Sequence, residues 1–174
     1  EGAGKSTLIR QTLIQAASGI QPFGYGLCTP IRTLLVDFEN SPAQIQRGLS
    51  SLRAQATRTA SDPGTRMRVA ARRGGIDLCS RVDAAWFTEQ IVASGAELVG
   101  VGPAYKMFSG DPNTEEPVKK MFGVIDRIRE RHGVAFIMET HSPQAQMGSR
   151  RLFRPVGSST WLRWPEYGFG LDPV

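Results

Sequence analysis

The sequence predicts an α/β fold, a mostly parallel central sheet flanked by helices. Apolar runs of strand length alternate along the chain with segments whose apolar residues recur at helical spacing, as a parallel sheet covered on both faces requires. A Gly-rich turn, Gly2-Ala3-Gly4-Lys5, opens the first helical segment. Polar residues follow the apolar runs directly, at Asp37 and Glu39 and again at Glu139 and His141. Such strand ends are where open parallel sheets bind their ligands.

The elements follow in order. From Lys5 to about Ala17, Leu8, Ile9, Leu13 and Ala16 recur at helical spacing, and Gly19 ends the helix. After a Gly/Pro-rich connection, Thr33-Leu34-Leu35-Val36 reads as a buried strand that delivers Asp37-Phe38-Glu39-Asn40. Ser41 caps the next helix with Pro42 in its first position, and Ile45, Leu49, Leu52 and Ala56 form the inward stripe. Met67 to Ala71 is a strand and Gly74-Gly75 a turn. Asp83 caps a helix whose Phe87 packs back on Val82, and Gly95 stops it. Leu98 to Val101 is a strand running into Gly102-Pro103, and a helix from about Glu115 to Arg131 follows, stopped by Gly133. Val134 to Met138 is fully apolar, which predicts a central strand. Ser159 to Trp164 and Tyr167 to Leu171 read as a C-terminal antiparallel strand pair turned at Pro165-Glu166.

At 174 residues and 40% hydrophobic content, the chain fits one globular domain over residues 1–174. No apolar run approaches the roughly 18 residues of a membrane span and no leader pattern is present, so a cytoplasmic location and no membrane partner are expected. Cys28 and Cys79 have no second ligand at metal spacing and are expected to be buried thiols. The net charge of +5 comes from arginines concentrated at Arg66 to Arg73, Arg127 to Arg131 and Arg150 to Arg154. That excess favours a polyanionic partner, although a charge run is more often a solvated face.

Glu1-Gly2-Ala3-Gly4-Lys5-Ser6-Thr7 is the second half of the pattern G-x-x-x-x-G-K-[ST], in which backbone N–H groups of a tight turn wrap phosphate oxygens. Gly2, Ala3, Gly4, Lys5, Ser6 and Thr7 are therefore the candidate nucleotide-binding set. Gly2 and Gly4 admit the close backbone approach, Lys5 reaches the outer phosphates, and the Ser6 hydroxyl suits Mg2+, a hard cation that takes oxygen ligands. The leading Gly would stand two residues before Glu1, so the chain reads as a fragment whose feeding strand lies upstream. ATP hydrolysis needs a carboxylate to orient or deprotonate the attacking water, and Glu39, directly after an apolar strand, is the best candidate. Asp37 fits either of two roles, holding a Mg2+-bound water or bonding backbone amides at the strand end. His141 is placed to sense the terminal phosphate, whereas Glu139 reads as a polar position on the sheet rim.

With the phosphate loop, Asp-Phe-Glu-Asn-Ser, Gly-Pro-Ala-Tyr-Lys and Glu-Thr-His-Ser-Pro, the chain resembles the RecA-like P-loop ATPases. More narrowly it is similar to DnaB-like and RepA-like replicative helicases, particularly bacteriophage versions. The resemblance implies a homo-oligomeric ring, commonly a hexamer, with ATP between subunits and single-stranded DNA in the channel. It would place the protein in a bacterial host cytoplasm if phage-encoded. It implies that Lys5 and Ser6 bind phosphate and Mg2+, that Glu39 is the catalytic glutamate and that His141 holds the phosphate-sensing position. Channel loops would be Tyr105 to Pro117, with Lys106 and Phe108 suited to backbone contact and base stacking, and Ser142 to Pro155, with Arg150 and Arg151. Arg154 is the choice for an arginine finger reaching the neighbouring nucleotide, though spacing does not decide among Arg150, Arg151 and Arg154. An ATP-gated loader or recombination mediator, or a degenerate nucleotide-binding scaffold, are the competing functions.

The chain departs from the pattern at one point. Most such ATPases place an Asp, supporting Mg2+ through water, where this chain has Gly102. Either Asp37 covers that role or hydrolysis is weak.

Overall fold

The computed structural model describes residues 4–24, 26–141 and 157–171. Helix α1 (Lys5–Ser18) starts at Gly4, whose φ of 78° is left-handed, and stops at Gly19, whose amide turns back to Ala16 O. Strand β1 (Thr33–Asp37) is buried along its whole length. Helix α2 (Pro42–Thr59) begins in a complete capping box: Ser41 Oγ accepts from the Gln44 amide while the Gln44 side chain accepts from Ser41 N. Then come β2 (Met67–Ala71), α3 (Arg81–Ser94), β3 (Leu98–Gly102), α4 (Glu115–His132), β4 (Ala135–Met138) and a short α5 (Thr160–Arg163).

The strands form one sheet in the order β2-β1-β3-β4, and every pairing is parallel. Asp37 is level with Ala71 on one side and Gly102 on the other, so all strands release the chain at the same rim. Alternation along the strands divides the core. Leu34 and Val36 of β1, Val99 and Val101 of β3, and Phe136 and Met138 of β4 face α3 and α4. Leu35 and Ile137 face the opposite way, toward Ile9 and Leu13 of α1 and Ile45 of α2. Gly100 lets α1 lie flat on β3, since a Cβ there would sit 2.6 Å from Leu13 Cδ1 and 2.7 Å from Ile9 Cγ2. That contact fixes where the amino-terminal end of α1 meets the rim.

Several expectations are corrected. Strand β4 lies at an edge of the described sheet rather than at its centre. Its apolar run reflects cover on both faces, Phe136 against one helical layer and Ile137 against the other, not strand neighbours on both sides. The expected C-terminal strand pair does not form: residues 160–163 are helical and Tyr167–Leu171 has no strand partner among the described residues. A helix places Trp161 and Trp164 on one side, and both rings reach Phe122, at centroid distances of 5.1 and 4.0 Å; in a strand they would point to opposite faces. Helix α3 is preceded by Ser80, and Asp83 lies in its first turn, where its carboxylate accepts from Asp77 N. Phe87 is fully buried while Val82 is exposed, so these two do not form a staple. Both cysteines are exposed, because their segments are surface connections outside the two apolar clusters.

Candidate active site at the carboxyl rim of the sheet

The rim gathers residues that are far apart in the chain. Helix α1 opens with no side-chain cap and no acidic residue in its first turn, leaving its amides and its positive dipole end available to an anion. Lys5 and Ser6 occupy that first turn. The Ser6 hydroxyl donates to Glu139 Oε2 at 2.7 Å. Ser6, Arg10, Asp37, Glu39, Gly102 and Glu139 line one cleft.

Glu139 is held from both sides. Its amide donates to Val101 O at 3.0 Å, extending the β3–β4 ladder, and its carbonyl accepts from Ala104 N at 2.8 Å. The turn that supplies Ala104 leaves β3 through a cis Gly102–Pro103 bond. Sequence reading treated Glu139 as an ordinary rim residue and missed this contact. The signal was present in Gly102, which stands beside Glu139 where a carboxylate was expected.

Asp37 takes the second of its two open roles. Its Oδ1 accepts from the amides of Glu39 and Asn40, at 2.9 and 2.8 Å, and its Oδ2 accepts from Arg10 at 3.0 Å. Asn40 Nδ2 donates to both oxygens. Burial pushes the Asp37 pKa up, but the bonds from Asn40, Glu39 and Arg10 outweigh it and hold the carboxyl below its ordinary value. With its lone pairs occupied, Asp37 is the post that shapes the turn into Glu39 rather than an open metal ligand.

Glu39 follows that turn with its side chain 41% exposed, open to water. Tyr105 Oη donates to Glu39 Oε1 at 2.8 Å, and Lys106 Nζ lies 3.9 Å from the same oxygen while reaching Phe38 O at 3.4 Å. Desolvation, then the bond to Glu39 and the nearby carboxylates, push the Tyr105 phenol up to about 12, so it remains a donor at neutral pH. The exposed His141 places its ring edge-on to Tyr105, at 5.5 Å between centroids. Tyr105 thus bridges the acid candidate and the imidazole, a link the sequence did not disclose because it spans three strand ends.

Two of the residues expected to touch nucleic acid are placed differently. Phe108 is 7% exposed and packs against Trp161, so its ring is a core element and not a stacking platform. Lys106 is turned inward to Glu39 and Phe38. Gly2, Ala3, Arg150, Arg151 and Arg154 lie outside the described residues.

The donor set suits the group that such a rim would hold. Ser6 and Glu139 offer hydroxyl and carboxylate oxygens, and among the described residues no cluster of three or more His, Cys, Asp or Glu side chains forms a ready-made metal cage. Mg2+ needs no such cage, since it binds through one or two protein oxygens together with substrate phosphates and water. Among the described residues no helix is long and apolar enough to cross a membrane.

A parallel sheet with an uncapped Gly-Lys-Ser helix start facing acidic strand ends defines a P-loop nucleotide-binding domain. A family model described as AAA domain matches residues 1–147, and the chain belongs to that family of AAA-type P-loop ATPases. No curated protein matches the chain.

Proposed function

We propose that this domain binds ATP with Mg2+ and hydrolyses it at the rim, as the motor of an oligomer that moves along single-stranded DNA. The observation that carries the catalytic part is the meeting of the Ser6 hydroxyl with the strand-end carboxylates in one cleft. The first-turn amides of α1 and Lys5 hold the phosphates, and Ser6 offers its oxygen to Mg2+. When bound, Mg2+ neutralises charge that develops on the phosphate oxygens. Glu39 orients the attacking water and takes up its proton, while Tyr105 and Lys106 fix the carboxylate in place. In this reading His141 couples the state of the terminal phosphate to the chain that follows it, a role supported by its ring contact with Tyr105.

The DNA-motor part is supported by the net charge of +5 and by the resemblance to ring helicases. The decisive measurement is ATP hydrolysis with and without single-stranded DNA. Glu39→Gln should lower turnover by about 100- to 10,000-fold while nucleotide still binds. DNA should stimulate the unaltered protein and not the variant. Turnover in Glu39→Gln equal to that of the unaltered protein would refute the catalytic assignment, and the absence of DNA stimulation in the unaltered protein would refute the motor.

A further inference from the structure

We infer that Glu139, supplied by β4, is the acidic partner of the magnesium site and takes the place of a carboxylate at position 102 on β3. The inference rests on the ATP-binding reading above and goes further by assigning a residue that the motif pattern does not predict.

Strand-end positions 102 and 139 lie side by side, and a Cβ built on Gly102 would fall 2.7 Å from Glu139 Cβ and 3.3 Å from its Oε2. One side chain excludes the other, so the rim has room for a carboxylate from β3 or from β4 but not both. Here it comes from β4. The longer Glu side chain reaches Ser6 Oγ at 2.7 Å, and its backbone is pinned by Val101 and Ala104. A hydroxyl that donates to a carboxylate has its lone pairs turned away from that partner, available to a cation. The negative charge beside it favours the cation, and the remaining carboxylate oxygen can accept from one of the cation's waters.

Asp37, a second acid of the cleft, is unavailable for this work because Arg10, Asn40 and the Glu39 amide use its oxygens. Glu39 is turned to Tyr105 and Lys106. Glu139 is the acid that bonds the Ser6 hydroxyl directly. Because it acts through Ser6 and water, Glu139 is a positioning residue, and its charge matters more than its shape.

The experiment titrates Mg2+ against binding of a fluorescent ADP analogue to the full-length protein, alongside Mn2+ binding followed by electron paramagnetic resonance. Glu139→Gln keeps an acceptor for Ser6 and removes the charge. It should not weaken nucleotide binding without metal, since it removes a negative charge from the phosphate cleft, and it should raise the Mg2+ midpoint by about 10- to 100-fold. Returning the carboxylate to β3 in the double variant Gly102→Asp with Glu139→Gly, which removes the Cβ that would collide, should bring the midpoint back toward that of the unaltered protein. Should Glu139→Gln fail to fold, the double variant decides the matter: a recovered Mg2+ response supports the assignment and its absence overturns it. An unchanged midpoint in a folded Glu139→Gln protein, or an equal loss of affinity with and without metal, overturns it as well. If the unaltered protein binds no nucleotide at any Mg2+ concentration, the ATP reading itself falls and this assignment falls with it.

Discussion

Asp37 illustrates how a single buried charge can organise a site without entering its chemistry. Its side chain and that of Arg10 are 7% and 12% exposed, and removing one partner of such a pair leaves an uncompensated charge at a cost of about 3–5 kcal/mol. Asp37→Asn should therefore destabilise the domain by that order at neutral pH, as read by denaturant unfolding. The pH dependence has a definite sign. A carboxyl held below its ordinary value stabilises the fold above the unfolded pKa of about 3.9, and that contribution disappears as pH falls through the lower folded value. The acid limb of the stability curve should be shallower in Asp37→Asn than in the unaltered protein. Identical acid limbs would show that Asp37 is not the titrating post.

At the scale of elements, the site depends on how α1 seats on the sheet. Ser6 meets Glu139 with Ile9 and Leu13 of the same helix resting on Gly100, at the middle of β3. A side chain there has nowhere to go without moving α1. Gly100→Val should cost about 1–3 kcal/mol by overpacking and should weaken nucleotide binding as well, because the displaced helix carries Lys5 and Ser6. A melting temperature lowered with nucleotide affinity intact would show that the helix start is positioned by something other than this contact. Helix α2 contributes differently. Its capping box and Pro42 start the helix immediately after Asn40, which confines the Asp37-to-Asn40 turn to a few residues and holds Glu39 at the rim.

At the scale of the whole molecule, the chain closes on itself through aromatic contacts between distant segments. Trp161 is buried against Phe122 of α4 and against Phe108, which follows the Tyr105–Lys106 turn. Trp164 stacks on Phe122 at 4.0 Å and donates to the Asp126 carboxylate at 3.0 Å. One cluster thus ties α5 and α4 to the segment that carries Tyr105, so the layer behind the sheet also supports the front of the site. Trp161→Ala should lose about 3–5 kcal/mol, measurable by thermal or denaturant unfolding. A loss below about 1 kcal/mol would mean that the C-terminal segment does not contribute to the folded core.

Much of this was legible locally. The helix stops at Gly19, Gly95 and Gly133, the cap at Ser41 and the strands that end at Asp37 and Gly102 all follow from short-range rules, because their causes lie within a few residues of their effects. The Gly-Lys-Ser start of α1 and the alternating pattern were enough to determine a parallel α/β sheet with a phosphate-binding helix at its rim. What the tertiary structure alone decided is which side chains meet there. Ser6 and Glu139 are separated by 133 positions, and Tyr105 and Glu39 by 66. Only the parallel register, which brings every strand end to one edge, places them within hydrogen-bonding distance. The same register explains why the carboxylate beside Ser6 comes from β4, while Phe108 is core through its packing on Trp161 and Asp37 is occupied by its own turn and by Arg10 of α1; apart from that turn, these outcomes depend on space between neighbouring strands and helices, which no local pattern encodes.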